Sequence, residues 1–334
     1  MPAPMVEAWR GDLLESRHLG HAVIWGPSGI EAAWGDPETV IFPRSSAKMI
    51  QALPLVESGA ADAARLTEAD LAFACASHQG EARHVQRAGD WLAGLGLGEP
   101  DLRCGAHEPH DRAERNRLIK ADLSPCQLHN NCSGKHCGFL TVTRHLKAGP
   151  EYTEIDHPLQ RAIRLATEEV TGETVAGWGI DGCSAPNFAM TVAGLARAMQ
   201  AFAAAGDTGD RRQRAMHRLT RAMASYPELV AGEGRACTEL MRAMGGRVAI
   251  KTGAEAVFVA MLPDQALGIA LKITDGAERG SEAAIVALLV HAGALDPNHP
   301  AALKRLGRPQ TNWRGLVTGV TRTAAGFPGP GKTG

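Results

Sequence analysis

Apolar residues along this chain follow two periods. Toward both ends they alternate or gather in short runs, as strands do, and between the ends they recur every three to four residues, as on helix faces. Residues 21–34 read as a β-hairpin: His-Ala-Val-Ile-Trp, a turn at Gly26-Pro27-Ser28-Gly29, then Ile-Glu-Ala-Ala-Trp. After Phe42-Pro43 the pattern predicts a helix that starts at Ser45 and runs toward Ser58-Gly59. The run Leu-Ala-Phe-Ala-Cys-Ala over 71–76 has the length of a buried strand. A helix over about 81–95 follows, with Val85, Ala88, Trp91, Leu92 and Leu95 on one face. Further helices are expected over 133–146, about 158–170, 190–204, 209–224 and 236–244. Residues 247–251, 256–262 and 267–273 then read as three consecutive strands. An apolar helix over about 281–294 and a last strand over 316–322 complete the pattern, before a Pro/Gly-rich tail over 326–334 that reads as disordered.

Strands at both ends around a helical middle predict an α/β (α+β) fold. Its antiparallel sheet would come from about 7–42 and 245–322, with flanking helices and a helical insert over about 43–244. This would make one domain over 1–322 and a flexible tail over 323–334.

Composition narrows the classes of partner. A net charge of −1 argues against nucleic acid or an anionic membrane, and 4% aromatics leave little for base stacking. The N-terminus has neither the basic nor the apolar region of a secretory signal, and no apolar run is long enough to span a bilayer. A cytoplasmic protein is expected. Seven cysteines, an odd number, then read as free thiols or metal ligands and not as a disulfide frame. Eight lysines stand against 27 arginines, so a lysine within a motif is informative. Lysine can give up its proton near neutral pH when buried, and arginine cannot.

Two motifs carry candidate chemistry. Ser45-Ser46-Ala47-Lys48 is a Ser-x-x-Lys, and Lys251-Thr252-Gly253 follows about 200 residues later. Both belong to the signature set of serine acyl-transfer enzymes that use lysine as base. Ser45 and Lys48 would share a helix face, where burial and the helix N-terminus favour the neutral amine. The bland alternative is an N-cap serine and a solvated lysine. Lys251 is alternatively an edge-strand lysine before a turn, and Lys332-Thr333-Gly334 repeats the tripeptide without context. The Ser-Asp-Asn motif that usually completes the set is missing; its nearest substitute is Ser77 in Cys75-Ala-Ser77-His78, either a second catalytic hydroxyl or an N-cap. His129-Asn130-Asn131-Cys132-Ser133-Gly134-Lys135-His136-Cys137 forms a dense polar cluster, and Gly177 to Asn187 forms a small-residue loop holding Cys183. Cys132, Cys183 and either His136 or Lys135 could converge on Zn²⁺, or the cysteines could be inert core residues. Arg235, in a glycine-rich loop, could bind a carboxylate or join a surface ion pair.

Taken together these segments resemble the Rhizobium-type L-asparaginases. The resemblance rests on Arg44-Ser-Ser-Ala-Lys48 with Gln51-Ala-Leu, Cys75-Ala-Ser77-His78, Asp101-Leu-Arg-Cys-Gly105, Asn131-Cys-Ser-Gly-Lys-His136, Gly179-Ile-Asp-Gly-Cys183, Val230-Ala-Gly-Glu-Gly-Arg235, Lys251-Thr-Gly-Ala254 and Lys272-Ile-Thr-Asp-Gly276, in order over roughly 7–322. It implies a serine β-lactamase and penicillin-binding-protein-like fold and hydrolysis of L-asparagine to aspartate and ammonia. It also implies Ser45 as nucleophile with Lys48, a second pair Ser77–Lys251, and Zn²⁺ held by Cys132, Lys135 and Cys183. Arg44, His78, Asn131 and Arg235 become candidate substrate-binding residues, and a homodimer is expected. Cys137 after His136 and Thr252 after Lys251 depart mildly from the family pattern. Two other readings stay open: a β-lactam- or peptidoglycan-directed serine hydrolase, and a zinc-binding module without catalysis.

Overall fold

The computed structural model describes residues 1–307 and 309–329. The second Lys-Thr-Gly and the last five residues of the expected tail lie outside the described residues. The chain divides into two compact units. One comprises Met1–Ser46, Met190–Ala204 and the chain from Glu239 onward, and the other comprises Ala47–Ala189 and Ala205–Thr238.

The first unit is built on an antiparallel sheet of eight strands among the described residues. These are β1 (Ala3–Arg10), β2 (Leu13–Gly26), β3 (Gly29–Trp34), β4 (Ala249–Gly253), β5 (Val257–Leu262), β6 (Leu267–Ile273), β7 (Pro309–Thr311) and β8 (Val317–Thr323). Their order is β7-β8-β1-β2-β6-β5-β4, with β3 folded back on β2 through the expected Gly26–Gly29 turn. N- and C-terminal strands therefore share one sheet, joined where Ala22 faces Leu271 and Ile24 faces Ile269. Every residue of β5 is buried, which explains its unbroken apolar run in place of alternation. The helix Val192–Ala204 covers β2, β5 and β6. It approaches so closely at Gly268 that a Cβ there would lie 2.1 Å from Gln200 N. This segment was expected within the insert, but its apolar face belongs to the sheet. The beginning of the tail is also packed: Phe327 is buried edge-on against Trp34, whose Nε1 donates to Gly326 O at 3.1 Å.

The second unit is mainly helical. The 71–76 run, expected as a strand, is helix Glu68–Ala74, because Thr67 and Asp70 form a reciprocal capping box at its start. The predicted continuous helix from Ser45 is broken into Arg44–Ala47, Lys48–Gln51 and Leu53–Glu57, with Pro54 in the first turn of the last piece. Helix Ser133–His145 is buried along almost its whole length. Gly134 lets it touch the preceding backbone, since a Cβ there would lie 2.2 Å from Phe73 O. The small-residue loop after Gly177 is a hairpin, with Gly177–Ile180 paired to residues 186–189. No helix among the described residues is long and apolar enough to cross a membrane.

Candidate active site

Within the helical unit the decisive side chain is Lys48, which is 1% exposed. Its Nζ donates to Ala76 O, lies 3.0 Å from Ser77 Oγ, and reaches Asn131 O at 3.4 Å. Ala76 lies just past the C-terminus of helix Glu68–Ala74, where carbonyls lack intrahelical partners. Two carbonyls can occupy two N–H bonds of the amine, which leaves its third direction to Ser77. Protonated, Lys48 donates there; neutral, it accepts the serine proton. The resemblance pairs Lys48 with Ser45 and Ser77 with Lys251, whereas the hydrogen bond seen in this unit joins Lys48 to Ser77.

Ser77 is fixed by backbone on both sides. Its N–H donates to Val230 O at 2.8 Å, and the N–H of His78 donates to Asn131 O at 3.3 Å. Glu81 draws the 230–235 loop against it: Oε1 accepts from Glu233 N and from Gln79 Nε2, both at 2.7 Å. Gly232 has φ +106° and sits where a Cβ would strike Gln79 and Glu81, so only glycine serves there. Gln79 and Glu81 were not singled out from sequence, although a Glu at a helix start after a polar loop is an available signal. His78, a candidate for substrate, is wholly buried between Phe73 and His84. Its Nδ1 accepts from Gly80 N at 3.1 Å and its Nε2 pairs with Ser133 Oγ at 2.9 Å. Burial, with the charges of His84 and Lys48, holds it well below the usual histidine range, so it is a neutral brace in the loop. Arg235 is half-buried at the end of the same loop.

The cysteines of the two polar loops meet in this unit. Lys135 Nζ lies 3.0 Å from Cys183 Sγ, and Cys132 Sγ donates to Asn131 Oδ1 at 3.1 Å. Contact with the Cys132 thiol, against the effect of burial and with help from Lys135, pulls Cys183 toward thiolate; Cys132 is pushed up. Burial disfavours the Lys135 ammonium, but Cys183, Cys132 and Asp181 outweigh it and hold its pKa above the ordinary lysine value. Among the described residues, no three His, Cys, Asp or Glu side chains come together as a metal site. The group that does gather is two thiols and one amine, and the neighbouring His136 Nε2 is buried without a hydrogen-bond partner. Such a donor set fits zinc, provided Lys135 releases its proton on binding.

The sheet unit holds the other candidates. Arg44 adopts φ +53°, a left-handed conformation uncommon for a residue with a Cβ, and so turns the chain into Arg44–Ala47. Ser46 gives its hydroxyl to Pro43 O at 2.7 Å, while half-buried Ser45 Oγ has no hydrogen-bond partner within this unit among the described residues. Lys251 is fully buried on β4, with Nζ on Thr252 O at 2.8 Å. Two residues on, Gly253 lies against the serine turn, since a Cβ would come within 2.6 Å of Pro43 O and 3.0 Å of Ser46 N. The Lys-Thr-Gly glycine therefore admits the turn that carries Ser45.

No curated relative matches the chain. Among solved structures, it is similar to a β-lactamase from Mycobacterium bovis at 13% identity and TM-score 0.47, covering 83% of this chain and 95% of that one. It is similar also to the D-alanine carboxypeptidase of Burkholderia cenocepacia at 13% identity and TM-score 0.40, covering 78% and 90%. A family model described as L-asparaginase II matches residues 6–323, nearly the whole length. The chain belongs to the L-asparaginase II family and is an amidohydrolase of the L-asparaginase type.

Proposed function

We propose that the protein hydrolyses the side-chain amide of L-asparagine through a serine acyl-enzyme, with Lys48 as its base. The observation that carries this reading is the fully buried Lys48 amine set against Ser77 Oγ and two backbone carbonyls. In that setting neutral Lys48 has a lone pair and no other partner for it among these contacts.

Ser45 is the nucleophile, because its neighbour Ser46 is committed to Pro43 and Ser45 is not. Lys48, three residues on, takes the proton as Oγ attacks the amide carbon. Ser77, on the same amine, relays a proton to the departing ammonia, and Lys251 supplies a second amine for that step. Collapse of the tetrahedral intermediate releases ammonia and leaves an aspartyl ester on Ser45. Water, deprotonated by Lys48, hydrolyses the ester. Arg44 and Arg235 grip the α-carboxylate of the substrate, and the Asn131 side chain orients its amino group. Cys132, Lys135 and Cys183 would hold zinc, whose positive charge would orient substrate. A cytoplasmic homodimer completes the reading.

Ammonia release tests it directly. The purified protein should release ammonia from L-asparagine faster than from L-glutamine, and Ser45→Ala should retain less than about 1% of turnover, since losing a true nucleophile usually costs far more. Retention of activity in Ser45→Ala with its loss in Ser77→Ala would transfer the nucleophile to Ser77. Silence on asparagine from folded, zinc-supplied protein would overturn the substrate assignment.

A further inference from the structure

The segment 227–235 has two halves, and different side chains of the helical unit hold them. In the first half, Tyr226 O accepts from Leu229 N at 3.1 Å and from Val230 N at 3.2 Å, so Pro227–Val230 is a closed helical turn. Glu228 O accepts from His84 Nε2 at 2.9 Å, and Val230 O accepts the Ser77 N–H. The fully buried Thr238 closes this half: its hydroxyl donates to Gly232 O at 2.6 Å and lies 3.0 Å from Pro227 O. None of these bonds uses the Glu81 carboxylate.

Past Gly232 the partners change. Glu233 N–H donates to Glu81 Oε1 at 2.7 Å, and Glu233 O accepts from Gln79 Nε2 at 2.9 Å. Gln79 Nε2 also donates to the same Glu81 oxygen at 2.7 Å, while Arg83 Nε meets Glu81 Oε2 at 2.8 Å. Glu81 is 8% exposed. A carboxylate accepting a backbone N–H in such a place makes a bond about twice as strong as a neutral pair. The backbone N–H and C=O of Glu233 are therefore both tied to the 79–83 segment, and Arg235 follows two residues later. Gly232, at φ +106°, is the pivot between the halves.

We propose that Glu81 is a positioning residue for substrate binding: through Glu233 it fixes the stretch that presents Arg235 to the α-carboxylate. Thr238 and the Val230 carbonyl support Ser77 separately. Binding and chemistry then have different supports within one loop. The inference rests on the assignment of Arg235 to the substrate carboxylate.

Steady-state ammonia release from L-asparagine by the full chain is the test. Glu81→Ala should raise KM about tenfold or more and leave kcat within about threefold, the pattern of lost binding that is equal in ground and transition states. Glu81→Gln, whose amide oxygen can take the Glu233 and Gln79 bonds, should bring KM back to within about threefold of wild type. Thr238→Val should instead lower kcat more than it raises KM. Gln79→Ala should raise KM in the same direction as Glu81→Ala, and it decides the matter should Glu81→Ala fail to fold. A merely structural brace would lower the melting temperature in these variants without moving KM. Unchanged KM in folded Glu81→Ala or Gln79→Ala, or a kcat loss as large as the KM rise, would overturn the inference while wild-type turnover of asparagine stands. Silence of the wild type on asparagine would instead remove the substrate assignment, and this inference with it.

Discussion

The two units bury their lysines in different ways. In the sheet unit, Lys251 stands on β4, the last strand in the sheet order, and its amine reaches the carbonyl of the next residue, Thr252. In the helical unit, Lys48 meets Ala76 O, Asn131 O and Ser77 Oγ, groups contributed by the segment just past helix Glu68–Ala74 and the one just before helix Ser133–His145. Helix ends leave backbone groups open, so that several segments can converge on one side chain.

Replacing each lysine by methionine tests that difference most strongly. Lys48→Met should lower kcat for asparagine by roughly 10³-fold or more, the upper range for a general acid–base group. Lys251→Met should cost less, about 10- to 100-fold, because Lys251 serves only the leaving group in this mechanism. Steady-state ammonia release from folded variants gives the comparison, and equal losses would put both lysines in one proton path.

The same contrast decides what the sequence reveals. The strands 257–262 and 267–273 and the hairpin at Gly26–Gly29 could be read because burial on a sheet stamps a simple period on the chain. The first strand, Ala3–Arg10, is not among the elements read from the sequence, which only started the sheet region at about residue 7; its pairing with the next strand is interrupted by bulges at Pro4/Val6 and Ala8/Trp9. In the helical unit the apolar run at 71–76 misled, because a short buried helix and a buried strand look alike by period alone. The correcting signal was local: Thr67 and Asp70, three residues apart, make a capping box. Asp111 and Glu114 likewise mark the start of helix Arg112–Lys120, which periodicity passed over. Ser45, Lys48, Ser77, Lys251 and the two cysteines carried local motifs. The links among them did not: that Lys48 reaches Ser77, or that Glu81 anchors the 230–235 loop, depends on contacts between distant segments.

Two glycines sharpen the comparison at a smaller scale. A Cβ at Gly134 would lie 2.2 Å from Phe73 O, and one at Gly253 would lie 2.6 Å from Pro43 O. Backbone on the opposite side cannot rotate away, so Gly134→Ala should destabilise by about 1–3 kcal/mol, the usual cost of overpacking. This should appear as a lower urea midpoint. Gly253→Ala should show more in activity than in stability, because the displaced turn carries Ser45. An unchanged KM and kcat in Gly253→Ala would remove Lys-Thr-Gly from the site.

The smallest effect is set by pH and rests on buried histidines that are held neutral. Burial holds His78 and His84 of the helical unit below the ordinary histidine value of 6.5, and each accepts a backbone N–H on Nδ1, His78 from Gly80 and His84 from Glu81, both at 3.1 Å, which requires a neutral ring. In the unfolded chain each regains its ordinary affinity for protons. Below pH 6.5 the unfolded state therefore binds more protons than the folded one, so stability present above that value falls as the pH drops toward the depressed folded values. Each such histidine contributes a slope of up to about 1.4 kcal/mol per pH unit in that window. Urea midpoints should then fall between about pH 7 and about pH 5.5, and His84→Gln, which removes one of these proton sinks, should flatten the fall. A midpoint that stays level across the window in the wild type would mean that the histidine stack is protonated without cost, and the neutral brace assigned to His78 beside Ser77 would be wrong.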